Sequence, residues 1–163
     1  MNLFYLDASA LVKRYVREPG STWVRTLIDD PANVILISAI SLVEVSAAIA
    51  ICVRTGKLRP RQGRMAYEEF SDEVDRGIYQ LWQVTQPLIE QAADLTQRHP
   101  MKGYDAVQVA SGLQVAQHLA AQEVTLTFVS GDRQALDTAT AEGLPVENPF
   151  DHTDLNSSPG REQ

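Results

Sequence analysis

NLFYLDASALVKRY, residues 2–15, decides the fold. Its apolar run LFYL, residues 3–6, has the length of a buried strand and stops at Asp7. Leu11, Val12, Tyr15 and Val16 then recur at helical spacing, so a strand feeds a helix with an acid at the joint. Pro19 and Gly20 end that helix, and Ser21 or Thr22 caps a second one through Trp23, Val24, Leu27 and Ile28. VILIS, residues 34–38, reads as the next buried strand. Strand, helices and strand in this order make a β-α-β unit.

Downstream the alternation repeats. Residues 41–55 are apolar almost all round, the pattern of a buried helix closed by Gly56. Residues 61–77 set Met65, Tyr67, Phe70 and Val74 among charges, which predicts an exposed amphipathic helix. YQLWQV, residues 79–84, alternates with period two and reads as a third strand. Helical patterns cover 87–98 and 104–121, then come a strand at TLTFVS (125–130), a helix at 132–141 and a short strand near Pro145 to Glu147. The sequence therefore predicts an α/β fold with a parallel, helix-covered sheet. At 163 residues the chain suits one domain, expected to span 1–149, with 150–163 as a polar, aperiodic, adaptable tail.

Composition narrows the class. A hydrophobic fraction of 44% with 21% charged residues supports a packed core and excludes a disordered chain. No apolar stretch reaches the ~18 residues of a membrane span, and Asp7 interrupts the only amino-terminal apolar run, so a cytoplasmic location is expected. Cys52 stands alone, which leaves no disulfide framework or thiolate zinc site. His99, His118 and His152 lack ligand spacing.

The formal net charge of −7 argues against a nucleic-acid substrate, because phosphate binding is usually driven by a basic surface. Against that total, RTGKLRPRQGR (54–64) carries Arg54, Lys57, Arg59, Arg61 and Arg64 with no acid among them. Lys13, Arg14 and Arg17 form a second basic group beside Asp7. Both groups suit contacts to a phosphate backbone, and both equally suit a solvated surface.

The acids are more informative than the bases. Asp7 follows the first strand, Asp132 follows TLTFVS with Gly131 between, and Glu44 and Asp105 open helices. In open α/β sheets ligands bind beyond the carboxyl ends of the strands, where helix amino ends also point. All four acids can meet there. Each also has a local explanation: Ser41 to Glu44 fits a capping box, and Asp105 and Asp132 suit helix caps. Asp7 and Glu44 resist that account, because apolar neighbours surround them and a buried unpaired carboxylate costs several kcal/mol. GYDAVQVASG (103–112) and VEVSAAIAI (43–51) offer no Lys or Arg, so a cation from solution is the natural partner.

YLDASALVKRY (5–15), SLVEVSAAI (41–49), KGYDAVQVASGL (102–113) and TFVSGDRQAL (127–136), in that order, resemble the four motifs of PIN-domain ribonucleases, and among them the VapC-type toxins of toxin-antitoxin pairs. The resemblance runs from the first strand to GLPVENP (143–149). It implies a three-layer α/β/α fold and an endoribonuclease with Asp7, Glu44, Asp105 and Asp132 as its acidic quartet, and Ser9 and Ser130 as supporting hydroxyls. It also implies an RNA substrate, an inhibitory antitoxin partner and a homodimer. The sequence departs from the pattern in two places: Gln108 replaces a frequent His, and Gly131 loosens the turn before Asp132. Hard oxygen ligands without His or Cys select Mg2+ or Mn2+. Divalent ions would also offset the four carboxylate charges and so answer the objection from net charge.

Other readings are weighed against this one. An aspartyl-phosphate phosphatase would want a second Asp two residues after Asp7, where Ser9 stands. A binding module that has lost the chemistry is expected to have lost an acid. A housekeeping RNA-processing nuclease without an antitoxin shares every motif, and a neighbouring small antitoxin gene would distinguish it.

Overall fold

The computed structural model describes residues 2–122 and 124–156, with side chains described up to Thr153. Strand β1 (Asn2–Leu6) leads into a short α1 (Ala8–Leu11), which tightens into a 3-10 turn over Val12–Arg14. The single helix expected through Val16 is thus a short helix and a tighter turn. Then follow α2 (Ser21–Asp29), β2 (Asn33–Ser38), α3 (Ser41–Arg54), α4 (Pro60–Asp75), β3 (Gln80–Trp82) and α5 (Gln86–Arg98). The chain continues through α6 (Gly103–Leu119), β4 (Leu126–Val129), α7 (Arg133–Ala141) and β5 (Val146–Glu147).

All strand pairings are parallel, in the order β3-β2-β1-β4-β5. The expected three-layer α/β/α architecture is therefore present. Alternate residues of each strand serve opposite layers, as a period of two requires. Leu3, Tyr5, Leu36, Leu126 and Phe128 pack with α5, α6 and α7; Leu6, Ile35, Ile37 and Val129 pack with α1 to α4. Gly112 brings α6 onto the sheet, since a Cβ there would stand 2.8 Å from the Phe128 ring.

β1 lies between β2 and β4, so connections leave it in both directions. In open α/β sheets such a switch point is where a ligand crevice lies, here at the carboxyl end of β1 and β4. Asp7 and the Ser130–Asp132 turn stand at its mouth.

Three expectations are corrected. α3 is not buried all round: Val45 and Ile49 enter the core, while Val43 and Ile51 remain more than half exposed. Its second apolar face has no partner among the described residues. Lys13 and Arg14 are not surface cations. Lys13 is 2% exposed, paired with Glu18 at 3.1 Å and set over the Phe150 ring at 3.9 Å. Arg14 reaches Glu73 at 2.6 and 2.8 Å and Asp29 at 2.8 Å, while Tyr15 and Tyr79 also donate to Glu73. Finally, the segment after 149 is packed at its start. Pro149–Asn156 form a 3-10 segment in which His152 stacks on Trp23 at 4.2 Å. Gly20, at φ +87°, admits it, because a Cβ would lie 2.4 Å from the Pro149 carbonyl oxygen. The rest of the expected tail, 157–163, lies outside the described residues.

Candidate active site

Asp7 is fixed by the local chain before it can do anything else. Its amide continues the sheet by donating to the Val129 carbonyl at 3.1 Å. Its side chain caps α1, with Oδ1 accepting from the Ala10 amide at 2.9 Å and from the Ser9 hydroxyl at 2.7 Å. Oδ2 accepts from the Ser130 hydroxyl at 2.5 Å. The loop after β4 is tied to the same group: the Gly131 amide donates to Ser9 Oγ at 2.8 Å, and the Asp132 amide donates to Ser130 Oγ at 2.9 Å. The Gly131 amide thus helps to hold the turn before Asp132. Asp132 in turn caps α7 through the Ala135 amide at 2.8 Å.

Glu44 stands in the first turn of α3 and Asp105 in the first turn of α6, as the sequence placed them. The acids share one electrostatic neighbourhood. Burial pushes the Asp7 carboxyl up to about 6 against the pull of Ser130, Ser9 and the Ala10 amide, and the charge of Asp105 adds to the rise. Glu44 is pushed up to about 7 by burial, with Gln108 opposing and Asp7 and Asp105 reinforcing. Asp105 is raised by burial and by Asp132, with Lys102 opposing. None of the four acids has an ion-pair partner among the described residues.

This is a site short of positive charge. Its donors are all oxygens, and Asp7, Glu44 and Asp105 bind protons tightly because burial and neighbouring charges disfavour ionisation. That chemistry suits a hard divalent cation. As they stand, no three His, Cys, Asp or Glu side chains among the described residues are close enough to hold an ion together. Four like charges stay spread, each held by neutral donors.

The family comparison agrees with this geometry. The PIN domain pattern matches residues 4–139, from the first strand to the last turn of α7. The chain belongs to the PIN domain family. Ribonuclease VapC45 of Mycobacterium tuberculosis is 34% identical over 121 residues, covering 71% of this chain and 78% of the relative. The crystal structure of FitAcB from Neisseria gonorrhoeae shares the PIN fold at TM-score 0.62 and 16% identity, covering 90% of this chain and 98% of the other. The structure of Mycobacterium tuberculosis VapC20, described as a sarcin-ricin loop cleaving toxin, shares it at TM-score 0.57 and 17% identity, covering 86% and 95%.

The basic candidates divide within this PIN domain. Arg17, Arg54, Arg59, Arg61 and Arg64 are exposed. Lys57 reaches back to Glu18 at 2.7 Å, and Lys13 and Arg14 are committed internally. Arg54 lies ten residues along α3 from Glu44, roughly 15 Å at 1.5 Å per residue. Sequence reasoning registered Gln108 only as a departure from the family pattern. In the structure it is buried, accepts from the Tyr5 hydroxyl at 2.6 Å, and donates to Ser41 at 3.0 Å and to Glu44 at 2.5 Å. No local pattern signals this role, since all three partners lie 64 or more residues away.

Proposed function

We propose that this PIN domain is a divalent-metal-dependent endoribonuclease acting as the toxin of a toxin-antitoxin pair. The observation that carries the chemistry is the acidic carboxyl end of β1 and β4, where one buried and three half-buried carboxylates have no ion-pair partner among the described residues. VapC ribonuclease relatives at 34% identity support the substrate class, and the four motifs' resemblance to VapC-type toxins supports the toxin role.

Asp7, Glu44 and Asp105 would hold Mg2+ or Mn2+, with Asp132 binding a second ion or an attacking water. Bound there, the ion would supply Lewis acidity toward a scissile phosphate and a nearby water. The protein's share is positional. Ser9, Ser130 and the Ala10 amide keep Asp7 aimed into the crevice, and Ser9 and Ser130 also hold the Gly131–Asp132 backbone, so both carboxylates move as one unit. The exposed arginines at the far end of α3, together with Arg17, supply backbone contacts to flanking RNA. Purified protein is expected to cleave RNA with Mg2+ or Mn2+ and to stop in EDTA. Undiminished cleavage in chelator would refute the metal reading. Induced expression is expected to halt growth unless a cognate antitoxin is co-expressed.

A homodimer is part of this reading. Its support is the apolar face that α3 leaves uncovered: Val43, Ile51 and neighbouring Tyr104 line a groove of about 350 Å³, with Met65 and Tyr67 exposed on α4. An apolar surface this continuous marks an interface more often than open solvent, and a second copy of the chain is the occupant we assign. Light scattering should return twice the chain mass, and Ile51→Glu should return one. An Ile51→Glu protein that keeps the wild-type mass places the interface elsewhere.

A further inference from the structure

Beneath the acids lies a polar chain that the proposed reaction does not use. Tyr5 and Gln108 are fully or almost fully buried, at 0% and 2% exposure, among Val107, Val109, Ala110 and Phe128 and beside the buried hydroxyls of Ser38, Ser41 and Ser111. Such groups are costly unless satisfied, and every buried side-chain nitrogen and oxygen among the described residues has a partner. The direction of the chain is fixed by chemistry. In the ionised form that would bind a cation, the Glu44 carboxylate can only accept, so the Gln108 amide must present its nitrogen to Glu44 and its oxygen to Tyr5. The Tyr5 hydroxyl must then spend its single proton on that oxygen. Phe128, stacked on the Tyr5 ring at 5.4 Å, keeps the phenol from swinging away.

One consequence concerns Glu44 itself. Gln108 engages Oε2 at 2.5 Å, while Ser41 Oγ receives the other amide hydrogen at 3.0 Å. Oε2 is thereby tethered to the protein, and Oε1 is the oxygen left for the crevice. We infer that Gln108 is a positioning residue that presents Glu44 to the cation through a single oxygen, and that Tyr5 acts on the site only by locking the Gln108 amide.

This assignment rests on the metal reading above and deepens it. Partners that orient metal ligands in this way typically alter metal affinity ~10- to 100-fold when removed. Calorimetric titration of the purified full chain with Mn2+ tests it. Gln108→Met keeps the side chain's length and lacks any strong hydrogen-bonding group, so it is expected to weaken Mn2+ binding ~10-fold or more. Tyr5→Phe, which removes one hydroxyl, should weaken it ~3-fold on the same scale. The double variant should bind no more weakly than Gln108→Met alone, because Tyr5 has nothing left to act through. A residue serving only the core would lower the melting temperature without this non-additivity in affinity.

Outcomes separate the two levels. Wild-type protein that takes up no Mn2+ overturns the metal reading and this assignment with it. Wild type that binds, with a folded Gln108→Met binding equally well, overturns the assignment alone. So does a Tyr5→Phe effect that adds fully to that of Gln108→Met. If Gln108→Met does not fold, Tyr5→Phe decides: unchanged Mn2+ affinity overturns the assignment, and a severalfold loss with circular dichroism unchanged supports it.

Discussion

Replacing Asp7 with Asn is expected to reduce RNA cleavage by about 10³-fold or more while making the metal-free protein more stable near pH 8. The loss follows from the role: a metal supplies several kcal/mol of transition-state stabilisation, and each 1.36 kcal/mol is tenfold in rate. The gain follows from burial. Asp7 is 4% exposed and its carboxyl sits at about 6, above the usual 3.8. The folded protein therefore holds that proton more tightly than the unfolded chain, and ionisation destabilises the fold. This penalty is small near pH 4, grows as pH rises to about 6 and is complete above it, on the order of 3 kcal/mol. Asparagine cannot ionise, and its oxygen can still accept from Ala10 and Ser9. On the other side its amide would donate to Ser130 Oγ, whose proton could turn toward Ser9, 3.3 Å away. Calorimetric melting in EDTA near pH 4 and pH 8 measures this: the variant's advantage should appear only at the higher pH. Equal melting temperatures there, or wild-type cleavage by the variant, would remove Asp7 from the proposed centre.

Such an exchange of stability for function explains why the acids were legible in sequence while much of their support was not. Asp7 announces itself because strand and helix periodicities meet at it, and both are local. The parallel, helix-covered sheet follows from alternation of elements for the same reason. Lys13 and Arg14 misled because a basic pair looks solvated until its partners are known, and Glu73 lies 59 residues from Arg14. α3 misled differently: an all-apolar helix says that both faces want cover, not whether the same chain supplies it. The polar composition of 150–163 concealed Phe150 and His152, whose partners are Lys13 and Trp23 at the opposite end of the chain. Gln108 was invisible as a positioning group, since a neutral amide acquires its meaning only from what faces it.

The stability of the whole metal-free protein should carry the signature of the acidic cluster. Asp7 at about 6, Glu44 at about 7 and a raised Asp105 all take up protons on folding. Stability contributed by their protonated forms is therefore lost as pH climbs from about 4 through 7, and the melting temperature in EDTA should fall across that interval. Glu73 works in the opposite sense: burial raises it, but hydrogen bonds from Arg14, Tyr15 and Tyr79 win and hold it low. Its contribution is present at higher pH and lost only as pH falls below the normal carboxylate range. The two effects occupy separate windows, so the descending limb above pH 5 reports the cluster. Mn2+ should reverse that limb. Near pH 8 the carboxylates are free to bind, and an ion at about 100 times its dissociation constant stabilises by about 2.7 kcal/mol. Near pH 5 the same ion must displace protons, so its effect should shrink. Differential scanning calorimetry at both pH values, with and without Mn2+, gives the four numbers required. A melting temperature that stays flat between pH 5 and 8 in EDTA, or an Mn2+ shift no larger near pH 8 than near pH 5, would mean that these carboxylates do not act as one cation-binding group.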